Sequence, residues 1–189
     1  MKRTVVAMLL VATPAAAETA YQPKKDLERA HKSLQHPAAP QPGTKPAKLV
    51  NLYNQWTHDW LAVDPAKPPS SAEVDLFLRD HFTNMATQMD PKLIGVVVGA
   101  AKQFKSDFVT VVSGFRHPKF NLMLRKKGHQ VARDSQHTHG NAIDFQIPTT
   151  TTRALETWAK AQKIGGVGVY MESGFVHMDT GPIRFWSGD

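Results

Sequence analysis

Cysteine is absent from all 189 residues. That excludes disulfides, a lipid-modified cysteine and thiolate metal ligands together, so any metal must be held by histidine and carboxylate alone. Membrane-spanning runs are missing too: the apolar stretch at residues 4–12 is too short to cross a bilayer. Acidic residues are the minority, 16 Asp and Glu against 23 Lys and Arg, for a formal charge of +7. A phosphate loop is also lacking. Gly165-Gly166-Val167-Gly168-Val169-Tyr170 is dense in glycine but has no following Lys and helix, which argues against nucleotide binding.

The start of the chain reads as an export signal. Met1-Lys2-Arg3 is basic, residues 4–12 are apolar, and Pro14-Ala15-Ala16-Ala17 supplies small residues for cleavage. The expectation is a signal peptide over residues 1–17, cleaved near Ala17, and a periplasmic protein with no membrane anchor afterwards. Losing Lys2 and Arg3 leaves +5, a surplus suited to an anionic partner such as a wall polymer with free carboxylates. It argues against nucleic acid as a partner in that compartment. Residues 18–47 hold Pro23, Pro37, Pro40, Pro42 and Pro46 among Lys, Gln and Ala, and are expected to form a flexible linker. Residues 48–189 should then form one domain, long enough to fold without staples.

Within that domain, residues 48–61 alternate moderately and predict a small hairpin. Residues 64–70 are a Pro-rich break. Ser70-Ser71-Ala72-Glu73 resembles a capping box, and Val74, Phe77, Leu78, His81 and Phe82 follow at helical spacing, with His81 expected to pack on the apolar face. Asp90-Pro91 opens a helix to about residue 104 that is apolar nearly all round. Residues 108–112 predict a strand ending in Ser113-Gly114-Phe115-Arg116. A glycine there lets the backbone turn and aims the guanidinium across the sheet. Further helices are expected over residues 119–127 and 152–162, and strands over 165–170 and 175–179.

The chemistry concentrates in Ser135-Gln136-His137-Thr138-His139-Gly140-Asn141-Ala142-Ile143-Asp144. Residues 143–147 alternate, so Ile143, Phe145 and Ile147 share one face of a strand and Asp144 points away from the core. A second cluster, Phe175-Val176-His177-Met178-Asp179, places Phe175, His177 and Asp179 on one strand face. Two imidazoles and a carboxylate, with room for a water, make the ligand set of a catalytic zinc. The remaining histidines, including His31, His36, His81 and His117, are read as bystanders.

The pattern Ser135-x-His137-x-x-Gly140-x-Ala142-x-Asp144 resembles the signature of zinc D-Ala-D-Ala peptidases with the Hedgehog/DD-peptidase fold. Ser113-Gly114-Phe115-Arg116 is similar to that family's Ser-Gly-Tyr-Arg element. The glycine-dense strand and Gly174-Phe175-Val176-His177-Met178-Asp179-Thr180-Gly181-Pro182, with Trp186, resemble its periplasmic murein endopeptidase branch. The likeness spans roughly residues 48–186. It implies an α+β domain, a small antiparallel sheet with helices packed on one side, holding one Zn²⁺ per chain through His137, Asp144 and His177. It further implies a zinc metallopeptidase that cuts peptide cross-links between peptidoglycan stem peptides, of DD or LD type, by metal-activated water. Arg116 would stabilise the oxyanion, and Ser135 and His139 would contact substrate. Many relatives carry an acid three residues before the last histidine ligand, where this chain has Gly174. Something else must then take the water's proton: Glu172, Asp179, His139, or bulk solvent through the zinc itself. The same glycine prompts the alternative of a non-catalytic, zinc-stabilised peptidoglycan-binding module.

Overall fold

A computed structural model describes residues 48–129 and 131–188; the expected signal peptide and linker lie outside them. The strands are β1 (Val50–Asn54), β2 (Trp60–Val63), β3 (Phe108–Ser113), β4 (Ala142–Gln146), β5 (Gly166–Tyr170), β6 (Phe175–Asp179) and β7 (Arg184–Gly188). The helices are α1 (Ser71–Phe77), α2 (Lys92–Gln103), α3 (Pro118–Lys126) and α4 (Thr152–Gln162), with a 3-10 turn at Gln136–His139.

All seven strands join one sheet in the order β2-β1-β3-β4-β6-β5-β7. The class is α+β as expected, but the sheet is neither small nor wholly antiparallel: β1 runs parallel to β3, and β7 parallel to β5. Parallel neighbours need a crossover rather than a hairpin, and α1 and α2 supply one between β1 and β3. Local alternation reveals strands but not which distant strand lies beside them, so only the hairpin pairs were legible.

Period-two geometry then separates the faces. Leu52, Val109, Val111, Ile143, Phe145, Val176 and Met178 are buried in one core with residues of α2 and α4. In register on the opposite face, Asp144 stands beside His177, and His177 beside Gly168. No helix among the described residues is long and apolar enough to cross a membrane.

The capping box of α1 forms: Glu73 N–H donates to Ser70 Oγ (3.3 Å) and Ser70 N–H to Glu73 Oε2 (2.9 Å). The helix nevertheless ends at Phe77, short of Phe82. Leu78 turns out of it because its carbonyl accepts from Phe115 N–H (2.7 Å), and Asp80 gathers the N–H groups of Thr83 and His117. His81 and Phe82 are consequently exposed rather than packed on a helix face. Ser70→Ala should cost about 1 kcal/mol, lowering the melting temperature by about 3 °C, whereas Ser71→Ala should not. Paired thermal melts followed by circular dichroism would check this.

Candidate metal centre

Each ligand candidate is positioned by a different local device. His137 lies on the 3-10 turn that Gly140 closes in a left-handed conformation. Asp144 is in mid-β4 and His177 in mid-β6, paired across the sheet. All three are buried.

Hydrogen bonds settle the protonation of both rings. His137 Nδ1 is 2.7 Å from the Gly114 carbonyl, which can only accept, so Nδ1 carries the hydrogen and Nε2 presents a lone pair. On His177 the Nε2–H donates to Asp179 Oδ2 (2.9 Å), which turns Nδ1 inward. His137 Nε2, His177 Nδ1 and Asp144 Oδ1 then face one another at 2.8–3.2 Å. With a proton on His177 Nδ1 that ring donates to Asp144; with the proton gone all three atoms are lone-pair donors aimed at one point, the arrangement a cation would satisfy. Ligand atoms on a tetrahedral zinc with 2.0–2.1 Å bonds are about 3.3 Å apart, close to this spacing. The residues fit the ion.

The electrostatics agree. Burial opposes charge on Asp144, but His137 and then His177 outweigh it and hold the carboxyl well below the usual range. Burial likewise opposes charge on Asp179. The His177 hydrogen bond and the N–H groups of Gly166 and Gly181 overcome it and keep this carboxyl low as well. Burial pushes the His137 pKa down, favouring the neutral ring. Burial pulls His177 the same way, yet its bonds to Asp144 and Asp179 raise it overall.

Asp179 has both oxygens engaged. Oδ1 accepts from Gly166 N–H (3.0 Å) and Gly181 N–H (2.9 Å), and Oδ2 from His177 and Arg184 Nη2 (2.7 Å). It thus reads as the outer carboxylate of a carboxylate–histidine–metal chain. Asp179→Asn should weaken zinc binding by about 10- to 100-fold, measurable by competition with a chelating dye.

A cleft of about 450 Å³ opens on this cluster, lined by Arg116, Ser135, His137, Asp144, His177 and Trp186 among others. Arg116 Nη2 lies 3.9 Å from Asp144 Oδ2, and its Nε is buried without a partner. Gly114, two residues before it, has no left-handed φ. Its need for glycine is close approach: a Cβ would meet the Leu78 carbonyl oxygen at 2.6 Å. Ser135 is buried at the cleft wall. His139 is exposed, pairs with Asp134 (2.6 Å), and does not line the cleft. Glu172 lies on the exposed turn after β5, also outside the lining.

Gly174 has φ +77° at the β5–β6 turn, its N–H bonded to the Tyr170 carbonyl (2.8 Å). A side-chain-bearing acid there would strain the hairpin, which accounts for the departure noted in the sequence. Sequence reasoning missed Arg184, which holds Asp179, and His129, which lines the cleft. It also missed the role of β7, whose Trp186 ring lies 5.1 Å from His177. Gly168 makes room for that indole, since a Cβ would meet it at 2.5 Å. No local period marks these residues.

Bare nitrogens and a carboxylate converging at the head of an open cleft define the class: a metal-dependent hydrolase site. Comparison with known proteins narrows it. Residues 47–186 match the M15 peptidase family described as peptidoglycan L,D-endopeptidase MepK, and the chain belongs to that family. The probable peptidoglycan L,D-endopeptidase MepK of Haemophilus influenzae is 29% identical over 153 residues, covering 80% of this chain and 82% of that protein. Peptidoglycan L,D-endopeptidase MepK of Escherichia coli K12 is 36% identical over 121 residues, covering 61% of this chain and 64% of that protein. The Shigella flexneri protein of the same name matches equally. No solved structure matches the chain significantly.

Proposed function

We propose that this protein is a zinc-dependent peptidoglycan endopeptidase of the periplasm. It hydrolyses cross-links between stem peptides, with L,D bonds as the preferred target, on a Hedgehog/DD-peptidase type of domain exported by residues 1–17. The carrying observation is the trio of inward-facing acceptors on His137, Asp144 and His177, set in a chain of this family. Zinc bound there would supply a Lewis acid and lower the pKa of a coordinated water to about 7.

The chain's own residues do the rest. The Gly114 carbonyl and the Asp179 carboxylate fix the two imidazoles so that neither ring spends energy reorienting. Trp186 covers one side of His177, with its indole N–H donating to Tyr170 Oη (3.3 Å), and keeps water off that side. Arg116 offers a desolvated guanidinium beside the ligand carboxylate, the placement needed to stabilise negative charge growing on a peptide oxygen. Asp179, saturated with donors, positions rather than accepts the water's proton. With zinc bound, the acceptor for that proton would have to come from the open side of the cleft, whose lining includes His129 and Asp134.

The test is to incubate the purified protein with cross-linked muropeptide dimers, with zinc and after chelation, and follow dimer loss by chromatography. L,D-linked dimers should disappear in a zinc-dependent way; dimers left whole with zinc present would sink the hydrolase reading. The absence of an acid at Gly174 motivates one competitor, a binding module. It would carry dimers down intact in a pull-down.

A further inference from the structure

We propose that Trp56, His81, Phe120 and Phe82 form a platform that binds the amino-sugar chain of the wall polymer by stacking against pyranose rings. The proposal deepens the endopeptidase reading and rests on it. The four rings form one continuous row. Trp56 stacks on His81 at 4.9 Å and 12°, and Phe82 on Phe120 at 5.2 Å and 15°. The two stacks meet where the edge of His81 contacts Phe120 at 4.8 Å. The terminal rings are each backed by an inner ring on one face, and Trp56 and Phe82 are both 55% exposed. A flat ring, supported behind and open in front, suits the apolar face of a sugar. The two stacked pairs present flat ring faces, which match the flat apolar face of a pyranose.

The row is linked to the cleft through the chain: Arg116 lines the cleft and Phe120 follows it four residues later. Phe120 lies in the first turn of α3, and its N-cap His117, which follows Arg116, is tied to the His81 loop through its N–H to Asp80 Oδ2 (3.0 Å). Partial burial lowers the His81 pKa, a shift that Asp80 opposes and Arg116 reinforces, so the ring stacks as neutral imidazole near Arg116. Only Asn121 of α3 is buried, so the helix turns Leu122 outward too, 48% exposed. Lys119 is exposed beside Phe120. Its charge and that of Arg116 suit the free carboxylates of a stem peptide leading from sugar to cross-link.

Two measurements test this on the full chain. Peptide-free glycan strands, prepared by amidase treatment of wall, should change tryptophan fluorescence of the wild type. Trp56→Ala should abolish the change, and Trp60→Ala on β2 should not. Absence of any response in the wild type overturns the platform whatever the activity. Second, Trp56→Ala and Phe82→Ala should raise KM about three- to tenfold for disaccharide-bearing dimers while leaving sugar-free cross-linked peptides unaffected. Equal effects on both substrates, or none, overturn it while the hydrolase reading stands; failure of wild type to cut either overturns the hydrolase reading alone, with the fluorescence titration still deciding the platform. Sedimentation with phosphatidylethanolamine–phosphatidylglycerol vesicles, lost in Trp56→Ala, would overturn the sugar assignment in favour of a membrane.

Discussion

Asp144→Asn should leave a folded domain that retains almost no zinc and loses at least about three orders of magnitude in turnover. The amide keeps the shape of the carboxylate but removes the one formal negative charge among the three inward acceptors. It also removes one of the two carboxylates that raise His177, leaving Asp179 as that ring's remaining partner. Elemental analysis of the purified variant, with circular dichroism to confirm folding, checks the first half, and muropeptide digestion the second. A variant with full zinc content would mean that the trio does not hold the ion.

The same trio gives a pH dependence with a definite sign. His177 is raised, so in the metal-free domain its stabilisation is present below about pH 6.5 and fades as pH rises through its folded value. Asp144 and Asp179 are depressed, so theirs is present above about pH 4 and is lost on further acidification. Zinc must displace the His177 proton, so metal binding strengthens as pH rises. Chelation should therefore lower the melting temperature more at pH 8 than at pH 5.5. Equal losses at both would show that His177 is not in the metal's set.

Arg116→Ala should cut kcat by about 100- to 1,000-fold while zinc stoichiometry stays at one per chain. The metal is held by other side chains, and the contact that ties residue 116 to the ligand loop is its backbone N–H to the His137 carbonyl (3.1 Å), which alanine keeps. Arg116→Lys should recover only part of the rate, since a point charge does not reproduce the planar fork. Steady-state kinetics beside metal analysis separate loss of the ion from loss of oxyanion support.

Much of the site was legible before any coordinates. Alternation in residues 143–147 predicts that Asp144 leaves the core, and in the fold it does, beside His177 on the uncovered face. The spacing in Ser70–Glu73 announces a cap, and the cap forms. Periodicity failed where a distant partner intervened. The apolar spacing through Phe82 called for a longer helix than α1, but the Phe115 N–H and the Asp80 carboxylate end it. As a result His81 and Phe82, which helical spacing had placed on an apolar face, are exposed.

Taken alone, the amino-acid order determined which atoms were available: no thiols, so imidazole and carboxylate, with Asp144 and His177 on strands and His137 on the turn before β4. Caps and alternation act over two to four residues, and such short-range rules are written in the chain itself. Tertiary structure decided which of those atoms meet. His137 and His177 are 40 positions apart, and Asp144 and His177 are 33 apart. Their convergence depends on strand order and register, which no local rule encodes. The same holds for the Gly114 carbonyl that orients His137, and for β7, which brings Arg184 to Asp179 and Trp186 over His177. Long-range pairing is selected by burial of the whole sheet face at once, so it becomes visible only when the chain is folded.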